Sequence, residues 1–190
     1  MIILASQSPR RKELLGYIFD IFEVRPTHCD ERTAAPTPEG QALEVALRKG
    51  LAAARLAQPE DIVIAADTLV LSRGEVLGKP ADRADAFRML SMLSGNTCTV
   101  YTGVSVHHSG QAYTLAERSE VTFYPLSERQ IDTYIDTGEP FDKAGAFGIQ
   151  NKGALLIRRV EGDFYNVMGL PVGALAQLLG QLGLLNEQQQ

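Results

Sequence analysis

The stretch Asp61-Ile-Val-Ile-Ala-Ala-Asp67-Thr68-Leu69-Val70-Leu71 constrains the fold more than any other part of the chain. Ile62 to Ala65 are apolar and mostly β-branched, the pattern of a strand buried on both faces. A carboxylate follows at Asp67 and a hydroxyl at Thr68, where such a strand is expected to run out. A charge at the end of a buried strand is costly unless it is solvated, paired or bound to a cation. In open α/β sheets that end is also where ligands bind. A helix or turn cap would use the same two residue types.

The segments around this strand alternate in type. Met1 to Ala5 reads as an opening strand, and Ser8-Pro9 as the cap and first position of a helix that Gly16 can end. Arg10, Arg11 and Lys12 crowd the N-terminal turn, where free amides and cations together suit an anion; a solvated basic face is the other reading. Ile21 to Val24 is a short strand candidate, followed by a polar segment with Asp30 and Glu31. Thr37-Pro38-Glu39 opens a helix with Ala42, Leu43, Val45, Ala46 and Leu47 inward and Lys49 near the end of the pattern, a position that usually reads as surface. Gly50 weakens that helix.

Further on, Ser72-Arg73-Gly74 reads as a hairpin turn with the return at Glu75 to Leu77, and Lys79 is held stiffly between Gly78 and Pro80. Asp82 to Leu93 forms an amphipathic helix. Thr97 to Val106 and Ala112 to Phe123 alternate as an antiparallel pair, which puts His107 and His108 at an exposed turn. Ser127 to Gln130 is a capping box. The segment 139–153 is aperiodic, with three glycines that allow close backbone approach to a ligand and with Asp142, Lys143, Gln150 and Lys152. Ala154 to Val160 is a strand, and Gly169-Leu-Pro171 turns into a last helix before a frayed tail at 186–190. The order implies a mixed α/β sheet in one domain, 1–190.

Composition removes several classes. At 190 residues, 45% hydrophobic and 22% charged, the chain is ordinary for a globular protein. Cys29 and Cys98 are far apart, which gives neither a zinc motif nor a disulfide framework. No apolar run reaches the ~18 residues of a membrane span, and the N-terminus lacks a basic leader, so a cytoplasmic protein is expected. A net charge of −5 argues against coating nucleic acid, though a few cations in a cleft still attract a small anion. The P-loop, dinucleotide, GxSxG and HExxH signatures are absent. An aspartyl phosphatase would need a second carboxylate at Ala65.

What remains is cations at Arg10, Arg11, Lys49, Lys79 and Lys143, and carboxylates at Asp30, Glu31, Asp67 and Asp142, on separate segments. Carboxylates alone suit a divalent cation such as Mg²⁺, which takes one or two of them plus substrate phosphates. With the cations added, the set points to a phosphate-handling hydrolase.

The string Ala5-Ser-Gln-Ser8-Pro-Arg10-Arg11-Lys-Glu13-Leu-Leu resembles the N-terminal signature of the Maf family of nucleoside triphosphate pyrophosphatases. The later motifs follow the same order: Lys49, Ala66-Asp67-Thr68, Gly78-Lys79-Pro80, Asp142-Lys143-Ala-Gly145-Ala-Phe-Gly148-Ile-Gln150 and Gly169-Leu-Pro171. The resemblance implies an elongated mixed β-sheet flanked by helices, in two lobes around a central cleft, like the inosine triphosphate pyrophosphatases. It further implies a cytoplasmic enzyme, often a homodimer, that uses Mg²⁺ or Mn²⁺ and cleaves between the α and β phosphates. By the same resemblance, Asp67 activates water and Asp30 or Glu31 helps Asp67 hold the metal. Substrate contacts fall to Ser8, Arg10, Arg11, Lys49, Thr68, Lys79, Asp142, Lys143 and Gln150. The other role attached to the family is a nucleotide-binding regulator of septum formation with little turnover. Two positions depart from the pattern: Phe147 stands where Tyr is frequent, and Gly50 where Ala is usual.

Three positions separate the branches of the resembled family, and here they are Arg10, Thr68 and Gln150, the set of the dTTP/UTP-cleaving branch. The branch acting on 7-methyl-GTP has an aromatic residue, Gln and a different residue there. The amide of Gln150 offers both a donor and an acceptor, which suits the O–NH–O edge of uracil or thymine.

Overall fold

The structure is a computed structural model that describes residues 1–185; the expected frayed tail, 186–190, lies outside the described residues. Strand β1 (Ile2–Leu4) pairs in parallel with β2 (Glu23–Val24) on one side and with β3 (Ile62–Ser72) on the other. Parallel neighbours need crossover connections, supplied by helices α1 (Pro9–Leu15) and α2 (Pro38–Ala54). Strand β4 (Glu75–Leu77) folds back on β3 through Arg73 and Gly74, both at positive φ, the two-residue turn that matches strand twist. Helix α3 (Arg83–Leu93) then leads to the long hairpin of β5 (Thr97–His108) and β6 (Gln111–Phe123). After helix α4 (Glu128–Ile135) and three 3₁₀ turns, β7 (Ile157–Glu161) pairs antiparallel with β6. Helices α5 (Phe164–Met168) and α6 (Val172–Gln181) close the chain. The result is a mixed seven-stranded sheet in the order β2-β1-β3-β5-β6-β7, with β4 beside β3, flanked by helices.

The chain condenses into two compact units. The first holds Met1–Asp67, Thr102–Glu117 and the segment from Gly169 onward; the second holds Thr68–Tyr101 and Arg118–Met168. Ile3, Ala5, Ala53, Val63 and Ala65 pack together in the first unit. In the second, the core gathers Leu77, Leu90, Leu93, Val121, Ile131 and Ile135 around Phe123 and Phe147, whose rings meet edge to face at 4.9 Å. Arg83 ties α3 to α4 there, donating to Asp136 at 2.6 Å and to Asp132 at 2.7 Å. No helix among the described residues is long and apolar enough to cross a membrane.

Four expectations change. Strand β3 does not run out at Asp67 but continues through it to Ser72, because Leu69 and Val70 restore the apolar pattern and pair onward with β4. Neither Asp67 nor Thr68 is therefore a cap. Strand β2 is only two residues long, since Ile21 is exposed, and β7 starts at Ile157 because 151–156 winds into a 3₁₀ turn. The largest change concerns the histidines. The turn is Ser109-Gly110 alone, β5 extends through His108, and His107 is only 7% exposed. Its ring packs over Gly50 of α2, and His108 uses Nδ1 to meet the carbonyl of Asp61 at 3.2 Å.

Burial holds the His107 pKa below the ordinary imidazole value. The neutral ring is thus favoured in the fold, while the unfolded chain binds a proton below about pH 6.5. His107 contributes stability that is full above that value and lost as pH falls through the lowered native pKa. Urea denaturation should show stability dropping as pH falls below about 6.5, and His107→Gln should flatten that slope.

Candidate active site

Helix α2 begins with Thr37 accepting from the amide of Gly40 and with Pro38 in the first turn. Its middle turns present Glu44, Arg48 and Lys49. Contrary to the surface reading of a lone helical lysine, the Lys49 side chain is only 13% exposed. Its Nζ donates to Asp67 Oδ1 at 2.7 Å and lies 2.9 Å from Glu31 Oε1. Asp67 is 18% exposed and Glu31 62%. The Asp67 contact is therefore the strong one, because Coulomb attraction grows as water is excluded. The exposed Glu31 contact is screened and contributes little to stability.

Helix α1 adds a second cation. Ser8 caps it, its Oγ accepting from the Arg11 amide at 3.4 Å, while Ser6 Oγ accepts from the Ser8 amide. Arg11 Nε donates to the carbonyl of Gly169 at 2.8 Å. Burial pulls the Arg11 pKa below its ordinary value, the Asp67 carboxylate opposes this, Arg10 adds to it, and Glu31 opposes it. Arg11, Lys49, Asp67 and Glu31 thus share one electrostatic neighbourhood in the first unit. Arg10 is half-buried next to Arg11.

Glu31 reaches Lys49 because α2 grips the segment that carries it. Arg48 Nη1 donates to the carbonyls of Asp30, at 3.2 Å, and of Arg32, while Nη2 pairs with Glu44. Thr33 bonds Glu44, and Thr27 Oγ1 donates to the Lys49 carbonyl at 3.3 Å. Asp30 is not brought to the cluster. Arg32 holds it at 2.7–3.1 Å on the exposed side, and those hydrogen bonds lower its pKa. Cys29 lies close enough to feel Lys49, but burial pushes its thiol pKa up. Sequence reading passed over Arg48 and Thr27. The Glu44–Arg48 spacing of i, i+4 was a visible signal, whereas Thr27 gave none.

The remaining expected site residues lie in the second unit. Thr68 is half-buried on β3, one residue beyond the unit boundary. Lys79 is exposed, and the carbonyl of Gly78 before it accepts from the amide of Gly145 at 3.0 Å. Lys143 Nζ donates to Asp142 Oδ1 at 2.6 Å and to the Glu139 carbonyl. The glycines let this segment fold on itself: a Cβ on Gly148 would stand 2.8 Å from Lys143 Cε, and one on Gly153 2.1 Å from the Gly148 carbonyl oxygen. The Tyr134 hydroxyl accepts from the Gly148 amide at 3.1 Å. Gln150, half-buried, leads into the 3₁₀ turn at 151–156. Phe147 fills the core against Phe123, so it carries no hydroxyl that would have to be satisfied there.

Among the described residues no group of three or more His, Cys, Asp or Glu is placed to hold a metal. Asp67 and Glu31 nevertheless converge on one positive charge, and two hard oxygen donors fit a cation that draws its other ligands from substrate phosphates and water.

A family model described as "Maf-like protein" matches residues 1–182. A protein of Latilactobacillus sakei subsp. sakei named dTTP/UTP pyrophosphatase is 47% identical over 180 residues, covering 94% of this chain and 99% of its own. One of Bacillus pumilus with the same name is 44% identical over 186 residues, covering 96% and 97%. A solved HAM1 protein from Coxiella burnetii shares the fold, with a TM-score of 0.51 at 15% identity over 95% of this chain and 98% of that one.

Because Arg48 anchors the segment 27–33, Arg48→Ala should speed tryptic cleavage after Arg32 several-fold while cleavage after Arg83 stays unchanged, the mark of a local opening. Mass-spectrometric timing of the two cuts checks this.

Proposed function

Because the chain belongs to the Maf family, we propose that it hydrolyses dTTP and UTP, in the cytoplasm, to the nucleoside monophosphate and pyrophosphate. The observation that carries this is the convergence of Asp67 and Glu31 on Lys49 Nζ at 2.7 and 2.9 Å, with Arg11 in the same field. The names of the curated relatives support the substrate pair.

Lys49 holds one oxygen of Asp67 and fixes the carboxylate, whose other oxygen takes the proton from the attacking water. Arg11 and Lys49, with Lys79, offset negative charge on the phosphates as the anhydride opens, and electrostatic stabilisation of this kind dominates phosphoryl chemistry. Asp67 and Glu31 would hold Mg²⁺ or Mn²⁺; Asp30, committed to Arg32, is not assigned to it. When bound, the cation would supply further charge neutralisation at the phosphate oxygens. Ser8, Arg10, Asp142 and Lys143 contribute to substrate binding. Thr68 and Gln150 select the base, the Gln150 amide matching the O–NH–O edge of uracil or thymine.

Asp67→Asn preserves shape and removes basicity, so pyrophosphate release from dTTP should fall by about 10²-fold or more. Near-normal turnover by a folded variant would end the assignment, and a chelator should abolish wild-type turnover. Gln150→Ala should erode the preference for UTP over CTP by about tenfold while total pyrophosphate release falls less. Selectivity unchanged in that variant would move base recognition elsewhere.

A further inference from the structure

Helix α2 meets strand β5 through three contacts in one register. At Gly103 the two backbones touch: a Cβ there would lie 2.5 Å from the Ala42 carbonyl carbon and 2.6 Å from its oxygen. At Ser105 the Oγ donates to the Ala46 carbonyl at 2.8 Å. At His107 the imidazole covers Gly50: a Cβ on Gly50 would stand 2.3 Å from His107 Nε2 and 2.5 Å from Ser105 Oγ.

Residues 103, 105 and 107 share one face of the strand, and 42, 46 and 50 share one face of the helix. Two strand residues rise about 6.6 Å and four helical residues about 6 Å, so the two series stay in step. A helix touching at one point can slide along its axis. Touching at three interlocked points, it cannot. The third point is the neighbour of Lys49, whose Nζ must come within 2.7 Å of Asp67 on β3, the strand beside β5. A hydrogen bond of that length is lost by a displacement of about 1 Å.

Gly50 is a poor choice for a helix interior on propensity alone. The close approach of the imidazole is what the missing side chain permits. The His107 ring uses this space without a partner for Nε2 among the described residues, so hydrogen bonding from that nitrogen does not account for its place.

We propose that the seating of His107 on Gly50 is the stop that fixes Lys49 against Asp67, which makes His107 a positioning residue for the reaction proposed above. It rests on that reading for its kinetic consequence only; the placement of Lys49 is measurable without catalysis.

The experiment compares Gly50→Ala, His107→Ser and a triple variant that joins both to Ser105→Ala, each verified as folded. One readout is kcat and KM for dTTP. The other is acetylation of Lys49 by an amine-reactive ester, followed by mass spectrometry. Lys143, 14% exposed in the second unit, serves as the internal control for global opening. Gly50→Ala should lower kcat by between about tenfold and a hundredfold with KM nearly constant. Lys49 should label several-fold faster while Lys143 does not. Adding His107→Ser together with Ser105→Ala, which clears every atom that crowds the new Cβ, should return both values toward wild type, even though it empties space and costs stability.

A Gly50→Ala protein that is folded and keeps both kcat and Lys49 protection overturns the proposal. So does a folded triple variant that restores neither. If Gly50→Ala fails to fold, His107→Ser decides alone: faster Lys49 labelling supports the stop, and unchanged labelling overturns it. A wild type that releases no pyrophosphate would sink the functional reading, and the labelling ratios would still decide the positioning.

Discussion

A lysine ammonium held between two carboxylates organises the first unit. Lys49, largely withdrawn from water, would be costly as a lone charge. Asp67 removes most of that cost, and three different elements must be right for the pair to form. Strand β3 must carry Asp67 past its buried half, α2 must present Lys49 at the matching height, and the segment 27–33 must be gripped so that Glu31 closes the arrangement. A helix, a strand and a loop are thus fixed against one another by a single positive charge. Arg48 acts one residue away and through backbone carbonyls, so it holds the loop without competing for the carboxylates.

The second unit solves a different problem, that of keeping an aperiodic segment in one conformation. The stretch 139–153 has no ladder to satisfy its backbone. It substitutes short 3₁₀ turns, the Tyr134 hydroxyl on the Gly148 amide, and the Gly78 carbonyl on the Gly145 amide. Gly145 sits at φ 70° with the Val70 side chain 3.2 Å from where a Cβ would be, so both conformation and space demand glycine there. Lys79 and Lys143 are thereby attached to one locally stiff framework in place of independent loops.

Much of this was legible in the sequence, and the misses have a common cause. Helices α1, α2, α3 and α4 announced themselves by their caps, and Ser8, Thr37, Asp82 and Ser127 all serve as N-caps. The hairpin at Arg73-Gly74 followed from turn chemistry. Failures fell where tertiary packing overrules local character: Asp67 inside a strand instead of at its end, His107 buried instead of at a tip, and Lys49 inside instead of on the surface. A polar residue in a sequence does not declare its partner. Nothing near Asp30 and Glu31 told which would face Lys49, because that choice is made by Arg32 taking Asp30 and by Arg48 pulling on the backbone. Gly50 is the reverse case. Its oddity was visible, but its reason, an imidazole 57 positions later in the chain, was not.

The charges around Lys49 largely offset one another, and this bears on how such a site works. Asp67 and Glu31 face Arg11 and Lys49, with Arg10 beside Arg11, so most of the positive charge is already offset without a ligand. A site built of bare cations would bind any anion and would strain the fold when empty. Here, on the proposed reading, the carboxylates must find other positive charge before the cations can turn fully to phosphate. A phosphate ester arriving alone gains little, because it competes with Asp67 for Lys49. On that proposal a triphosphate arriving with a divalent cation would satisfy both halves at once, the carboxylates through the cation and the ammonium and guanidinium through the phosphate oxygens. Discrimination against simple anions then comes from the internal pairing itself, with Lys49 keeping its short hold on one Asp67 oxygen while its other N–H donors turn to phosphate.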